Sequence, residues 1–468
     1  MQETNTESTS KPKSRLEELG YEQQLDRRLS VWEVVGLAMA DVSPTMGVLF
    51  LSAGIFAVGG TFAIGASLIL SVVVLLIAIC LAELASMFPI AGGMYSLVRR
   101  VLPGPISWIT TFNYLIQGVV IPASISLGMV AFLKDLFPGI SLPDQVIALA
   151  LLGLAMAIAL TKVEVGAWAT AIMVVVEIIV LSIITFAALK DPSQSLTDVT
   201  IHPTMLTNGE LGAVGLVVML ATLAPAFNVI NGYDAALGFS EELKGGERAI
   251  GRAVIISAIM ACVLIVIPLT AAVIAAPDLE AFFNAPAPVV YSVEQSLGPY
   301  ARYVVDVGGI VALFNAMLSL LMYFGRGVYT TGRDKIWPDA VNKKLGKLNR
   351  FQAPAAGVVV LVVPAAILIF SSALNFLIIF AGTVIAAVYL CIGLAAFWSR
   401  FNLRDEERPY KMRLWPLPPI AVIGFTALAL ASQDPEYLIA EGVLILAALA
   451  CWAGSKVWSR QSPDPVAR

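Results

Sequence analysis

The sequence predicts an all-α polytopic membrane protein of twelve transmembrane helices, the first and sixth of them broken at mid-depth. Three observations carry that expectation. Hydrophobic residues make up 58% of the 468 and charged residues only 13%, about half the charged share of soluble proteins. Uncharged runs such as 62–82 are long enough, at 1.5 Å per residue, to cross about 30 Å of hydrocarbon. Two hydrophobic segments are also interrupted by residues that cannot continue a lipid-facing helix, Asp41-Val-Ser-Pro44-Thr-Met-Gly47 and Asn228-Val-Ile-Asn231-Gly232-Tyr233-Asp234.

In chain order, residues 1–30 read as a polar cytoplasmic tail, disordered over 1–13. Leu16, Leu19, Leu25 and Leu29 then either share one weak apolar face or belong to a solvated segment. No cleavable signal peptide precedes the first span. Twelve spans follow at 31–58, 62–88, 106–133, 145–161, 167–189, 211–239, 250–276, 300–325, 354–373, 375–399, 416–432 and 437–457. A transport core of 31–399 contains two repeats, about 31–189 and 211–399; residues 400–458 hold spans 11 and 12, and 459–468 form a second cytoplasmic tail. Segment 277–299 is too apolar for a solvated loop, with Leu279, Phe282, Phe283, Val289, Val290, Tyr291 and Val293, and is expected to fold as a short helix over the outer vestibule. Cys80, Cys262, Cys391 and Cys451 all fall within spans, so no disulfide framework or thiolate metal site is expected.

Positive charge orients the chain. With the N-terminus inside, only Lys134, Lys190 and Arg302 lie outside, and the other 26 of 29 Lys and Arg lie inside. This is the positive-inside bias, and it places both termini in the cytoplasm of a multi-pass cell (plasma or inner) membrane protein.

Within a bilayer, freed backbone amides and carbonyls are tolerated only where they line a protein cavity. Proline and glycine at Pro44, Gly47 and Gly232 free such groups, and unwound helix ends bind carboxylates and cations. A single break is equally an ordinary kink; a matched pair, five spans apart and of opposite direction, points to a transporter with an inverted repeat of spans 1–5 on spans 6–10. The candidate substrate-binding residues are Ser43, Pro44, Thr45, Met46 and Gly47 in span 1, with Phe227, Asn228, Asn231, Gly232 and Asp234 in span 6. Gly47 and Gly232 are expected to keep the breaks open to substrate.

Further motifs resemble the amino acid–polyamine–organocation transporter superfamily. Cys80-Leu-Ala-Glu83-Leu-Ala-Ser-Met-Phe-Pro89-Ile-Ala-Gly92-Gly93-Met-Tyr95 is similar to its second-helix signature. The stretch from Ala226 to Asp234, followed by Glu241-Glu242 and Arg252, resembles its sixth helix and following loop. Arg326, then Arg333-Asp334-Lys-Ile-Trp-Pro338, resembles the loop after its eighth helix, and Arg408-Pro409-Tyr410-Lys411 with Trp415-Pro416 the loop before its eleventh. The matches are ordered over roughly 35–420 and imply an amino acid permease with the LeuT-like five-plus-five inverted repeat. Two departures stand out. The family's first break is usually Gly-x-Gly-Ile-Phe, where this chain has Ser43-Pro44-Thr45-Met46-Gly47, and its usual Pro before Arg is Gly251 here. The resemblance implies that Phe227 or Asn228 covers the substrate.

Acids inside spans are costly, about 2.5–3.5 kcal/mol each at the bilayer centre, and so commonly face a cavity. Asp41 and Glu177 are the candidate coupling residues. In several family members a lysine partway along the fifth helix is implied to stand where sodium sits in sodium-driven relatives; span 5 has no lysine, and Glu177 lies at or within a turn of that place. An apolar helix disfavours a charged carboxyl, which suits proton exchange, although Glu177 bonded to a neighbouring helix would serve structure alone. Glu83, Arg326, Arg333 and Asp334 are the candidate inner gate, Glu83 pairing with Arg99 or Arg333.

These readings converge on a proton-coupled secondary carrier for an amino acid or related amine, within a lipid bilayer. A polyamine or other cationic-substrate importer, an exchanger, and a nutrient receptor or channel on the same scaffold stay open. The single histidine, His202, lies in an outer loop, and no nucleophile, metal or P-loop motif is present. No enzyme activity, cofactor, metal or nucleic-acid partner is expected.

Overall fold

A computed structural model describes residues 27–90, 92–161, 163–207 and 209–458, without the side chains of 163–171, 457 and 458. The tail segments 1–26 and 459–468, including the leucine face expected at Leu16, Leu19 and Leu25, lie outside the described residues.

The protein is a helical, multi-pass membrane protein. Among the described residues, nine helices are long and apolar enough to cross a bilayer, and they fall at spans 1, 2, 3, 5, 6, 7, 8, 10 and 12. At spans 4, 9 and 11 the apolar helices are shorter: Asp144–Ala159, Ala355–Ser371 and Leu417–Ala431. Their 15–17 residues cover roughly 22–26 Å at 1.5 Å per residue, less than a typical hydrocarbon core.

Two boundaries differ from expectation. Span 6 begins at Leu216, because Thr204–Thr207 and Glu210–Ala213 pair as an antiparallel hairpin. The segment expected as one outer helix is two, Leu279–Asn284 and Pro288–Leu297. Proline at the first turn of the second starts a new helix instead of extending the old one. Phe282 of the first is buried edge-on against Phe56.

Span 7 (Glu247–Ile274) packs along span 2 (Phe62–Met87), and span 8 (Pro299–Arg333) lies against span 3 (Gly104–Leu136) and span 5 (Val163–Lys190). Span 10 (Leu374–Asn402) packs on spans 3, 6 and 11. The broken segments thus sit among spans 5, 7, 8 and 10, where their freed polar groups meet protein.

The two ends of span 8 differ. Near its start, a cavity of about 560 Å³ is lined by Leu49, Phe50, Phe132, Glu294, Arg302 and Asp306, among others. At its far end, roughly 30 Å away by helical rise, the chain is latched. Arg326 pairs with Glu242 at 3.7 Å and Arg333 with Glu241 at 3.4 Å. Leu29 and Leu243 form a parallel bridge, with Lys244 N donating to the Leu29 carbonyl at 2.8 Å.

Candidate functional site

Span 1 breaks because of Ser43-Pro44. Helix Val31–Val42 stops at Ser43, whose backbone is left-handed at φ +40°, and Pro44 starts the next short piece at its first turn, where a missing N–H costs nothing. A π-turn over Gly47–Leu51 follows before the α-helix resumes at Ser52. Such turns are frequent at functional sites.

The freed groups of this break are met by span 5. Ser43 Oγ donates to Glu177 Oε2 at 2.9 Å, and the Thr45 amide donates to the same oxygen at 3.3 Å. Thr45 Oγ1 donates to the Glu177 backbone carbonyl at 3.2 Å, and Asn315 Nδ2 of span 8 donates to Glu177 Oε1 at 3.0 Å. Ser43 Oγ also lies 3.2 Å from the Ala312 carbonyl, a second acceptor for its single proton. Glu177, Ser43, Thr45 and Asn315 are all buried, and no Lys or Arg pairs with Glu177 among the described residues. The carboxyl therefore acts as the N-cap of the resumed helix, lent by another element.

Span 6 breaks differently. Helix Leu216–Val229 ends at Ile230, Gly232 is left-handed at φ +96°, and a 3₁₀ turn runs over Tyr233–Phe239. Asn231 Oδ1 accepts from Tyr389 Oη at 2.9 Å, and Asn228 Nδ2 donates to the Ile378 carbonyl at 3.0 Å. Asp234 Oδ2 accepts from Tyr323 Oη at 3.2 Å.

The two breaks touch. A Cβ on Gly47 would stand 2.9 Å from the Val229 carbonyl oxygen, and one on Gly232 would stand 2.8 Å from the Val42 nitrogen. Each glycine thus admits the other break's backbone. The close approach of the two main chains is one reason for glycine at both positions. Asp41, just before the first break, accepts from Ser319 Oγ at 3.3 Å and is buried. Asp41, Asp234 and Glu177 form a set of buried acids bonded to hydroxyls, amides and a carboxamide. Pro44, Thr45 and Met46 are buried in the same region.

Other expected residues fall elsewhere. Phe227 is fully buried, 5.6 Å from the Tyr389 ring and 6.0 Å from Phe425, and packs toward spans 10 and 11. Glu83 pairs with neither Arg99 nor Arg333. Arg400 Nε and Nη2 donate to its two oxygens at 2.8 and 2.7 Å, Arg408 Nη1 donates at 2.7 Å, and the Met412 amide at 2.6 Å. The last turn of span 10 brings Arg400, and the loop before span 11 folds under span 2 and brings Arg408 and Met412, while Glu241 takes Arg333. Asp334 accepts from Tyr95 Oη at 3.2 Å. Tyr389 was missed by sequence reading, since one tyrosine in an apolar span carries no local signal; the contact across to Asn231 gives it meaning.

The profile of a family described as amino acid permease matches residues 29–453. The branched-chain amino acid permease BcaP of Lactococcus lactis subsp. cremoris (strain MG1363) is 24% identical over 396 residues, covering 80% of this chain and 83% of that protein. With both broken helices and the motif loops inside the matched range, the chain belongs to the amino acid permease family of the amino acid–polyamine–organocation superfamily.

Proposed function

We propose that this amino acid transporter is a proton-coupled secondary carrier for neutral aliphatic amino acids, working by alternating access. Twelve spans, both termini in the cytoplasm and an inverted repeat of spans 1–5 on 6–10 complete the reading. The single observation that carries the coupling is the position of Glu177, whose carboxyl caps the first break with no cation beside it. The aliphatic substrate rests on the similarity to a branched-chain amino acid permease.

Substrate occupies the region of the two breaks in this account. Its carboxylate competes with Glu177 for the Thr45 amide at the start of the resumed helix, and its ammonium is drawn to Asp234 or to the carbonyl end of helix Leu216–Val229. Glu177 supplies two hydrogen-bond states. When ionised, it accepts from Ser43 Oγ and the Thr45 amide. When protonated on Oε2, it donates to Ser43 Oγ, whose own proton turns to the Ala312 carbonyl. The second state loosens the cap on the resumed helix, so a proton biases how the two pieces of span 1 sit. The latch of Arg326–Glu242 and Arg333–Glu241 closes the cytoplasmic end while the cavity at the other end of span 8 is open. Opening inward breaks these pairs, of which Arg326–Glu242 is half-buried and Arg333–Glu241 has its carboxylate buried.

Counterflow tests the carrier reading. Proteoliposomes preloaded with leucine should accumulate external tritiated leucine transiently, as exchange demands. Label entry indifferent to internal leucine would make the protein a channel, and binding without entry would make it a receptor. Reporter fusions at Ser193 and Asn342 should report outside and inside respectively.

A further inference from the structure

We infer that the loop joining spans 10 and 11 is a binding site for the phosphate headgroup of an anionic lipid. Arg400, Arg404, Glu406, Arg408 and Lys411 line a pocket of about 420 Å³, separate from both breaks. Four of its five lining side chains are cationic. Two of them are fixed in place: Arg400 and Arg408 hold Glu83, and Arg408 Nη2 also donates to the carbonyls of Ser399 and Leu403, each at 2.9 Å. Arg404 and Lys411 are exposed and make no hydrogen bond or ion pair among the described residues.

Among the described residues the charge does not close within the pocket. Glu406 is the one acid lining it beside Arg400, Arg404, Arg408 and Lys411, and Glu83 is clasped behind; Asp405, Glu407 and Arg413 of the same loop do not line it. A phosphodiester carries the missing negative charge and the acceptor oxygens that guanidinium groups match in pairs. Arginines held rigidly by Glu83 would lose little freedom on taking a ligand.

The surroundings select a lipid over a free anion. The pocket stands where helix Leu374–Asn402 ends and before helix Leu417–Ala431 begins, which the proposed arrangement of spans 10 and 11 puts at the membrane–water boundary. Trp398, Phe401, Leu414 and Leu417 beside it in the chain are 46%, 43%, 76% and 61% exposed. Behind them, Trp415 packs against Phe397 and Phe401, with the Arg400 guanidinium 5.7 Å from its ring. A cationic cup next to exposed apolar side chains fits a headgroup with its acyl chains, and basic pockets at helix ends are a known form of lipid recognition. A soluble phosphate would use only half of this surface.

Native mass spectrometry on the purified full chain, with phosphatidylglycerol and phosphatidylcholine as probes, tests the assignment. The wild type should retain phosphatidylglycerol preferentially. The Arg404→Gln/Lys411→Gln pair, which leaves the Glu83 clasp intact, should weaken that retention by roughly 25-fold, about fivefold per cation removed. Leu414→Ser should weaken phosphatidylglycerol while leaving any effect of inorganic phosphate on thermal stability unchanged. Equal retention of the two lipids, or a double variant that binds as the wild type does, would overturn the site. Stabilisation by inorganic phosphate as large as that by phosphatidylglycerol, and indifferent to Leu414→Ser, would make it a soluble-anion pocket and overturn the lipid.

Discussion

Glu83 and Glu177 are both enclosed glutamates within membrane helices, and their neighbours make them opposite in kind. Glu83 is fully buried and receives four donors, three of them from the guanidinium groups of Arg400 and Arg408. Glu177 is as deeply buried and receives only a hydroxyl, an amide and a carboxamide. Cations fix a carboxylate as an ion, since its neutral form would strand them. Neutral donors leave both protonation states open. Both are buried; what separates Glu177 is that no cation pairs with it among the described residues, and the proposed coupling rests on that difference.

The largest effect expected from this contrast is on folding. Glu83→Ala leaves Arg400 and Arg408, only 15% and 9% exposed, without their counter-ion, a loss of up to about 3–5 kcal/mol. Thermal melts and gel filtration of the solubilised variant should show a much less stable protein, where Glu177→Gln stays close to wild type. Equal stability of the two variants would erase the distinction.

A lesion in the breaks that touches neither acid comes next. Gly232→Leu forces a side chain into a left-handed backbone, costing about 1–3 kcal/mol, and drives its Cβ into Val42. Uptake should fall to background. Gly47→Ala meets the Val229 oxygen with a helical backbone (φ −54°) and should lose less. A Gly232→Leu variant with normal uptake would return span 6 to a plain kink.

Much of this arrangement is legible in the sequence, and the remainder has identifiable causes. Pro44, Gly47 and Gly232 announce the breaks because proline and glycine act locally on the backbone. Glu177 stands out because a charge in an apolar run is rare. The partners are another matter: Arg400 and Arg408 lie more than 300 positions from Glu83, and only the packing of span 10 and the fold of the loop after it bring them there. The hairpin before span 6 was hidden for a similar reason, since Thr204–Ala213 pairs mainly through its backbone. Phe227 shows how a residue in the right motif can point toward packing.

The smallest effect concerns an acid of intermediate kind, at the latch. Burial holds the Glu242 carboxyl above the usual glutamate range, Arg326 pulls it back, and Glu241 adds to the rise. A raised value means that the folded protein binds this proton more tightly than the unfolded chain. Stability then falls as pH rises from the ordinary glutamate range through the raised value. Glu242→Gln should flatten that part of the melting-temperature profile, by about 1 kcal/mol or less once solvent screening of this half-buried pair is counted. A steeper fall in the variant would show the pairing with Arg326 to dominate.

Proton-driven accumulation by Glu177→Gln tests the central claim most directly. Glutamine keeps the size of the side chain and imitates the protonated acid, so the buried site stays filled while the proton cannot be traded. In proteoliposomes with acid outside, the variant should exchange tritiated leucine for internal leucine at near wild-type rates and fail to concentrate it. A variant that still concentrates leucine under that gradient would show that the proton passes elsewhere.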